Sequence, residues 1–204
     1  NDPLRNEGCI TFTPDGKTMV FARGNAKKKK GGGVDVDLYI ARYRNSAWLP
    51  PAPININTQF KEENSPEARD YSWDSTPSFS PDGRTIYFSS NRHGGMGGKD
   101  IYSATRGKDG IWTNVRNLGS AINTEYDEEG PYIDPSGKLL YYSSKGKKGM
   151  GGFDLFRAGL LNAEKNTWSE SENLGYPINT PDDDIFFTGS HDSRHGYYAS
   201  VREG

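Results

Sequence analysis

TPSFSPDGRTIYFSSNRHGGMGGKDIY, residues Thr76 to Tyr102, is one copy of a unit that this chain repeats. A second copy, Gly130 to Phe156, is GPYIDPSGKLLYYSSKGKKGMGGFDLF. Each runs from a short apolar strand through a Pro-Asp-Gly or Pro-Ser-Gly turn to an aromatic strand ending in Ser-Ser. A glycine-rich loop and an aspartate followed by two apolar residues complete it. Pro81 and Pro135 stand 54 positions apart, as do Asp100 and Asp154. The turn has a physical cause: proline presets φ, aspartate bonds nearby backbone, and glycine accepts positive φ.

The repeat extends both ways. A first copy places Pro14-Asp15-Gly16, Asp37-Leu38-Tyr39, Trp48 and Ile56-Asn57-Thr58 in the same order. The second adds Trp112 and Ile122-Asn123-Thr124, and the third Trp168 and Ile178-Asn179-Thr180. A fourth begins at Asp183 and keeps Ile185-Phe186-Phe187 and Gly196 to Ser200, with Ser190 to His195 in place of the turn and hence a longer hairpin. Each unit gives four short segments of β-branched and aromatic residues separated by Gly, Pro, Asn and Asp. No segment has helical periodicity. Four up-and-down strands at a fixed period predict an all-β fold, a β-propeller of four-stranded antiparallel blades. The units are too hairpin-rich for a parallel β-helix. The blades are expected at about 7–58, 74–124, 128–180 and 183–204, in one domain spanning 1–204. That makes three blades plus the inner half of a fourth, fewer than most rings hold. Further blades in a longer chain, or a second chain, are expected to complete the ring.

Composition narrows the function classes. Lys and Arg number 25 against 27 Asp and Glu, so the chain is close to neutral. Wholesale nucleic-acid binding wants a clearly basic surface and is not expected. No apolar run reaches the roughly 20 residues of a membrane span, and no signal peptide is visible. Asn1 in place of an initiator methionine points to a mature or excised piece. Cys9 is the single cysteine, so no internal disulfide can form, and the thiol is expected to be a small buried apolar group.

These features resemble the TolB-like, Pro-Asp-repeat propellers of bacterial envelopes. The phrase Gly94-Gly95-Met96-Gly97-Gly98-Lys99-Asp100, with Asn117-Leu118-Gly119 and Ile122-Asn123-Thr124 downstream, is similar to a subgroup common in Bacteroidota. There the propeller is often joined to an OmpA-like peptidoglycan-binding domain, as in PorE-like components of the type IX secretion system. The resemblance spans about Glu7 to Gly204. It implies a periplasmic, outer-membrane-associated protein whose partner belongs to the envelope or secretion machinery, with peptidoglycan reached through a domain outside this chain. It carries fold further than function.

Strand order places the loops between second and third strands on the same face as the loops between blades. The first kind is basic: Lys27, Lys28, Lys29 and Lys30; Arg92, His93 and Lys99; Lys147 and Lys148. The second is acidic, as in Glu125 to Glu129 and Asp182 to Asp184. The functional reading is a docking face, with Met96 and Met150 at the loop tips as contacts. The plain reading is a solvated face whose charges neutralise one another. Seven residues before each turn proline stands an acid, Glu7, Asp74 or Glu128, with Asp183 filling that place in the fourth copy. These should ring the central channel. They could hold Ca²⁺ through oxygen ligands, serve as glycosidase acid and base, or accept backbone N–H bonds from a neighbouring blade. Asp37, Asp100 and Asp154 are expected to bond loop N–H groups, and Trp48, Trp112 and Trp168 to pack in the core or at its edge.

The glycine loops fit no phosphate-binding pattern, because Gly98-Lys99 runs into Asp100 and a strand. His191 and His195 have metal-like spacing, but in a turn that spacing does not bring two side chains together. No Ser-His-Asp set is recognisable. The sequence therefore predicts a non-catalytic binding or scaffolding module without a resident cofactor or metal. The alternative is an enzyme's propeller, either a glycosidase using channel carboxylates or a gate on a hydrolase.

Overall fold

The computed structural model describes residues 5–24, 35–58, 72–190 and 192–201. Among them every regular element is a strand. The first sheet orders β1 (Glu7–Phe12), β2 (Thr18–Gly24), β3 (Val36–Arg44) and β4 (Ala47–Trp48), with β5 (Ala52–Pro53) also on β3. The second is β6 (Asp74–Phe79), β7 (Thr85–Ser90), β8 (Asp100–Arg106) and β9 (Trp112–Asn117). The third is β10 (Glu128–Ile133), β11 (Leu139–Ser144), β12 (Asp154–Asn162) and β13 (Thr167–Trp168), with β14 (Glu172–Asn173) on β12. β15 (Asp184–Gly189) and β16 (Gly196–Ser200) form a two-stranded sheet. All these pairings are antiparallel. The outer strand of the first blade is split where Pro50 and Pro51 withhold ladder N–H groups.

The turns form as their residues dictate. Thr13 donates its hydroxyl to Asp15 at 2.6 Å, Asp15 accepts the Lys17 N–H, and Gly16 sits at φ 64°. Ser80, Asp82 and Gly83 repeat this arrangement. In the third blade the two side chains exchange places, and Ser136 donates to Asp134 at 2.7 Å. The fourth hairpin is a correction to the expected longer loop. Ser190 donates to Asp192 at 2.6 Å, Asp192 accepts the Arg194 N–H, and Ser193 takes the glycine place at φ 56°. Gly189 faces Gly196 as Phe12 faces Met19, so the hairpin length is unchanged. The hydroxyl and carboxylate make this turn; proline and glycine only ease it.

Each inner strand carries one bulge. The ladder slips between Gly8 and Thr11, Ser75 and Ser78, Glu129 and Tyr132, and Ile185 and Thr188. The residue at the slip has positive φ in all four: Cys9, Thr76, Gly130 and Phe186. A bulge bends the strand and raises its twist, which suits the inner edge of a blade. Gly130 has a second reason to lack a side chain, because a Cβ there would lie 3.0 Å from the Phe186 ring.

Blades pack face to face. Val20, Leu38, Ile40 and Ile56 of the first meet Ile86, Phe88, Ala104 and Trp112 of the second. Tyr87, Ile101 and Ile122 of the second meet Leu140, Tyr142, Phe156 and Trp168 of the third. Alternation along β7 sends Ile86 and Phe88 one way and Tyr87 the other, so the second blade is buried on both faces.

Candidate functional site

The recurring polar residues join blades. The asparagine of each Ile-Asn-Thr turn accepts an N–H and donates to the carbonyl of one third-strand residue. Asn57 does so with Leu38 at 2.9 and 2.9 Å, Asn123 with Ile101 at 2.8 and 2.9 Å, and Asn179 with Leu155 at 2.8 and 2.9 Å. The following threonine then reaches the next blade. Thr58 donates its N–H to Asp74 at 2.6 Å. Thr124 donates N–H and hydroxyl to Glu128, both at 2.7 Å. Thr180 donates to Asp184 at 2.7 and 2.8 Å.

The acid of the fourth copy is therefore Asp184, not Asp183. With the hairpin at its ordinary length, the inner strand starts one residue later than counted from the sequence. Asp183 instead accepts the Phe153 N–H at 2.8 Å, as Asp127 accepts that of Lys99 at 2.9 Å.

Asp74, Glu128 and Asp184 are fully buried. They do not line the central cleft, contrary to the expected carboxylate ring. That cleft, about 390 Å³, is bordered by Cys9, Ile10, Pro77, Pro131, Tyr132 and Phe187. Cys9 is exposed there rather than buried, at the first bulge. Glu128 also accepts the Ser144 hydroxyl at 2.6 Å. Burial pushes its carboxyl up, the Ser144 and Thr124 bonds pull it down, and the charge of Asp100 adds to the rise. Oxygens engaged this way are poor ligands for Ca²⁺ and face no cleft in which a sugar could sit. Among the described residues no three His, Cys, Asp or Glu side chains gather to hold a metal ion.

The expected docking residues divide. Lys27, Lys28, Lys29 and Lys30 lie outside the described residues, as does His191. Arg92 is a blade fastener rather than a free docking cation. Its guanidinium donates to Asp74 at 2.9 Å and to the Ile56 carbonyl at 3.1 Å, and lies over the Phe88 and Tyr102 rings. Arg23 makes the same kind of contacts inside the first blade, donating to Glu7 at 2.8 Å and covering Phe21 and Tyr39, but it reaches no second blade among the described residues. Sequence comparison misses this pair because the two arginines sit at different offsets from their strands. Lys147 is half-buried and donates to the Ala121 carbonyl at 3.0 Å. Lys99 pairs with Glu129 and lies over Trp73. His93, Met96, Lys148 and Met150 are exposed.

Met96 and Met150 stand on loops pinned from below. Asp100 accepts the Met96 N–H at 2.6 Å, and Asp154 accepts those of Met150 and Gly151 at 2.9 and 3.0 Å. The glycines let these loops press against the acidic inter-blade loops. A Cβ at Gly97 would meet the Glu125 backbone at 2.4 Å, and one at Gly151 the Asp182 carbonyl at 2.2 Å.

The first blade shows a different surface. Phe12 and Trp48 have ring centroids 6.1 Å apart, tilted, as Phe79 and Trp112 do at 5.9 Å. The second pair is 7% and 2% exposed against the first blade; the first pair is 48% and 39% exposed. Glu7 likewise has Arg23 as its partner where Asp74, Glu128 and Asp184 have a preceding threonine.

These sheets, bulged inner strands and face-to-face cores define blades of an all-β propeller. The fold is shared with TolB and with propellers of hydrolases. Solved structures of similar fold include TolB from Acinetobacter baumannii, at 18% identity and TM-score 0.58 over 95% of this chain and 37% of that one. The α-L-arabinofuranosidase of Lactobacillus brevis gives 16% and 0.59 over 96% and 66%. The propeller domain of the Trilobed protease of Pyrococcus furiosus, described as having an open velcro topology, gives 11% and 0.51 over 86% and 45%. This chain thus spans less than two thirds of the length of each. No protein-family model and no curated protein sequence matches it.

Proposed function

We propose that the chain is a non-catalytic protein-binding segment of a larger propeller, working in an assembly of the bacterial periplasm and outer membrane. The carrying observation is the contrast on the glycine-loop face. The repeated acids, asparagines and threonines are engaged in joining blades, whereas Met96 and Met150 project from immobilised loops. Methionine adapts to varied apolar partners, and a pinned backbone lowers the ordering cost of binding. His93 and Lys148 give this face a polar rim. The envelope setting, and a place beside type IX secretion components, follow from the resemblance of the Pro-Asp-Gly repeat and its glycine loops. The glycosidase alternative loses support because Asp74, Glu128 and Asp184, at the starts of the inner strands, are fully buried in bonds to the preceding threonines.

The test replaces Met96 and Met150 together with Asp. The immobilised chain should retain one envelope protein in near-stoichiometric amount, and the double variant should lose it while melting at the same temperature. Equal retention by both proteins rejects the docking face. Turnover of a glycoside or peptide by the purified chain rejects the non-catalytic reading.

A further inference from the structure

The opposite face of the propeller, where first strands turn into second and third into fourth, carries a cleft of about 590 Å³ between the first two blades. Four cations line it: Lys17, Arg42, Arg44 and Arg106. Backbone geometry fixes where each starts. Lys17 leaves the Pro14-Asp15-Gly16 turn and its carbonyl accepts the Tyr43 N–H at 2.8 Å. Arg42 faces Thr18 across the ladder. Arg44 opens a two-residue turn in which Asn45 and Ser46 both have positive φ. Arg106 ends β8, with its N–H on the Arg84 carbonyl at 2.8 Å.

None of the four has an ion-pair partner among the described residues, although other cations of the chain do. Asp15, whose carboxylate accepts the Thr13 hydroxyl and the Lys17 N–H, keeps its charge beside Lys17, so the uncompensated charge of the cleft is that of the three arginines. The chain as a whole is slightly acidic. A cleft in which three arginines outweigh one Lys17–Asp15 pair is a net positive field on such a protein, which draws anions.

The repeat supplies its own control. The matching groove between second and third blades, about 270 Å³, has Thr105 where the first has Arg42 and Leu160 where the first has Arg106. Its own Arg116 is engaged, donating to Asn114 and to the Glu164 carbonyl. The scaffold therefore needs neither arginine to pack two blades. Guanidinium groups present planar forks that match phosphate oxygens in pairs, and the volume lies in the range of small-molecule sites.

The geometry points to a binding site for a phosphate-bearing anion in this cleft, held by Arg42, Arg44 and Arg106 with Lys17 at its rim. The proposal is independent of the methionine face. Its ligand reaches it either free or as a lipid headgroup.

Calorimetric titration with pyrophosphate at low salt tests the first source. Sedimentation with vesicles of phosphatidylglycerol in phosphatidylcholine tests the second. The informative variant is Arg42→Thr with Arg106→Leu, which transplants residues the second groove already tolerates. It should weaken the binding seen in either arm by at least tenfold. Arg44→Ala, outside the blade core, should weaken it several-fold. Lys138→Ala, an exposed cation at the matching turn of the third blade, should leave it unchanged. Saturable pyrophosphate binding with this pattern assigns a free anion, and vesicle binding alone with this pattern assigns a headgroup. Binding in neither arm, or no loss in the double variant, overturns the site. So does an equal loss with Lys138→Ala, which would mark diffuse attraction.

Discussion

Glu128 shows how one residue can carry a fold-level joint and a pH signature together. Its fully buried carboxylate receives the Thr124 N–H, the Thr124 hydroxyl and the Ser144 hydroxyl. Burial raises its pKa despite those bonds. The native state then holds this proton more tightly than the unfolded chain, so stability falls as pH climbs from the ordinary glutamate value of about 4.3 through the folded one. Glu128→Gln keeps the shape and removes the charge. Its melting temperature should lose that part of the fall, and at neutral pH it should match or exceed the parent. Glu128→Ala strands three buried donors and should destabilise by about 2–4 kcal/mol in urea unfolding. Asp15 gives the opposite sign, since Thr13's hydroxyl first, and Lys17's N–H next, hold its carboxyl low. Its effect disappears only as pH drops below about 4. A Gln variant with an unchanged pH profile would show that Glu128 is not the group titrating. The glycines separate in the same residue-by-residue way. Gly97→Ala forces a Cβ against fixed backbone and should cost about 1–3 kcal/mol, whereas Gly8→Ala meets open space and should be close to neutral.

At the scale of elements, the Ile-Asn-Thr turn substitutes for a strand. Asn123 gives Ile101 both ladder bonds and adds a third from its amide to Asn117 at 2.8 Å. Asn123→Ala leaves a buried N–H and carbonyl in the third strand and should cost about 2–4 kcal/mol, lowering the urea midpoint without changing the slope. A loss below about 0.5 kcal/mol would place the turn outside the cooperative structure. This level was also where the sequence spoke best. Turns and strands are local, so Pro-Asp-Gly, Ser-Ser and Ile-Asn-Thr placed them from spacing alone. The fourth turn hid because Ser190 and Asp192 do the bonding while proline and glycine, the visible markers, are missing. That concealment shifted the inner acid from Asp184 to Asp183. Arg92 was misread as a docking cation for a different reason: its bonds to Asp74 and Ile56 join residues 18 and 36 positions away. The cleft's lining was equally hidden, since a bulge decides which side of an inner strand faces the axis.

The whole molecule is asymmetric in one informative respect. Three inter-blade joints repeat the same pattern, and Phe12, Trp48 and Glu7 present its residues with no blade against them among the described residues. Trp112 and Trp168 in the same place are buried by the preceding blade. Phe12, half exposed beside an exposed Trp48, is poor surface design for a free end but correct design for a joint. We expect a further blade of this repeat to cover it, bringing a threonine to Glu7. Two measurements check this. In the 204-residue chain, Trp48→Ala should cost clearly less than Trp112→Ala, for which burial predicts about 3–5 kcal/mol. The Trp48 contribution to fluorescence should be open to acrylamide. In a longer chain bearing additional blades, Trp48→Ala should become as costly as Trp112→Ala, and its quenching should vanish together with the exposure of Phe12. Glu7→Ala should then change from a loss of one Arg23 contact to the loss of a blade joint, about 2 kcal/mol more. If Trp48 stays quenchable and cheap to remove in the longer chain, the first blade ends the structure, and the repeat of Phe12 with Trp48 reflects ancestry of the unit rather than contact.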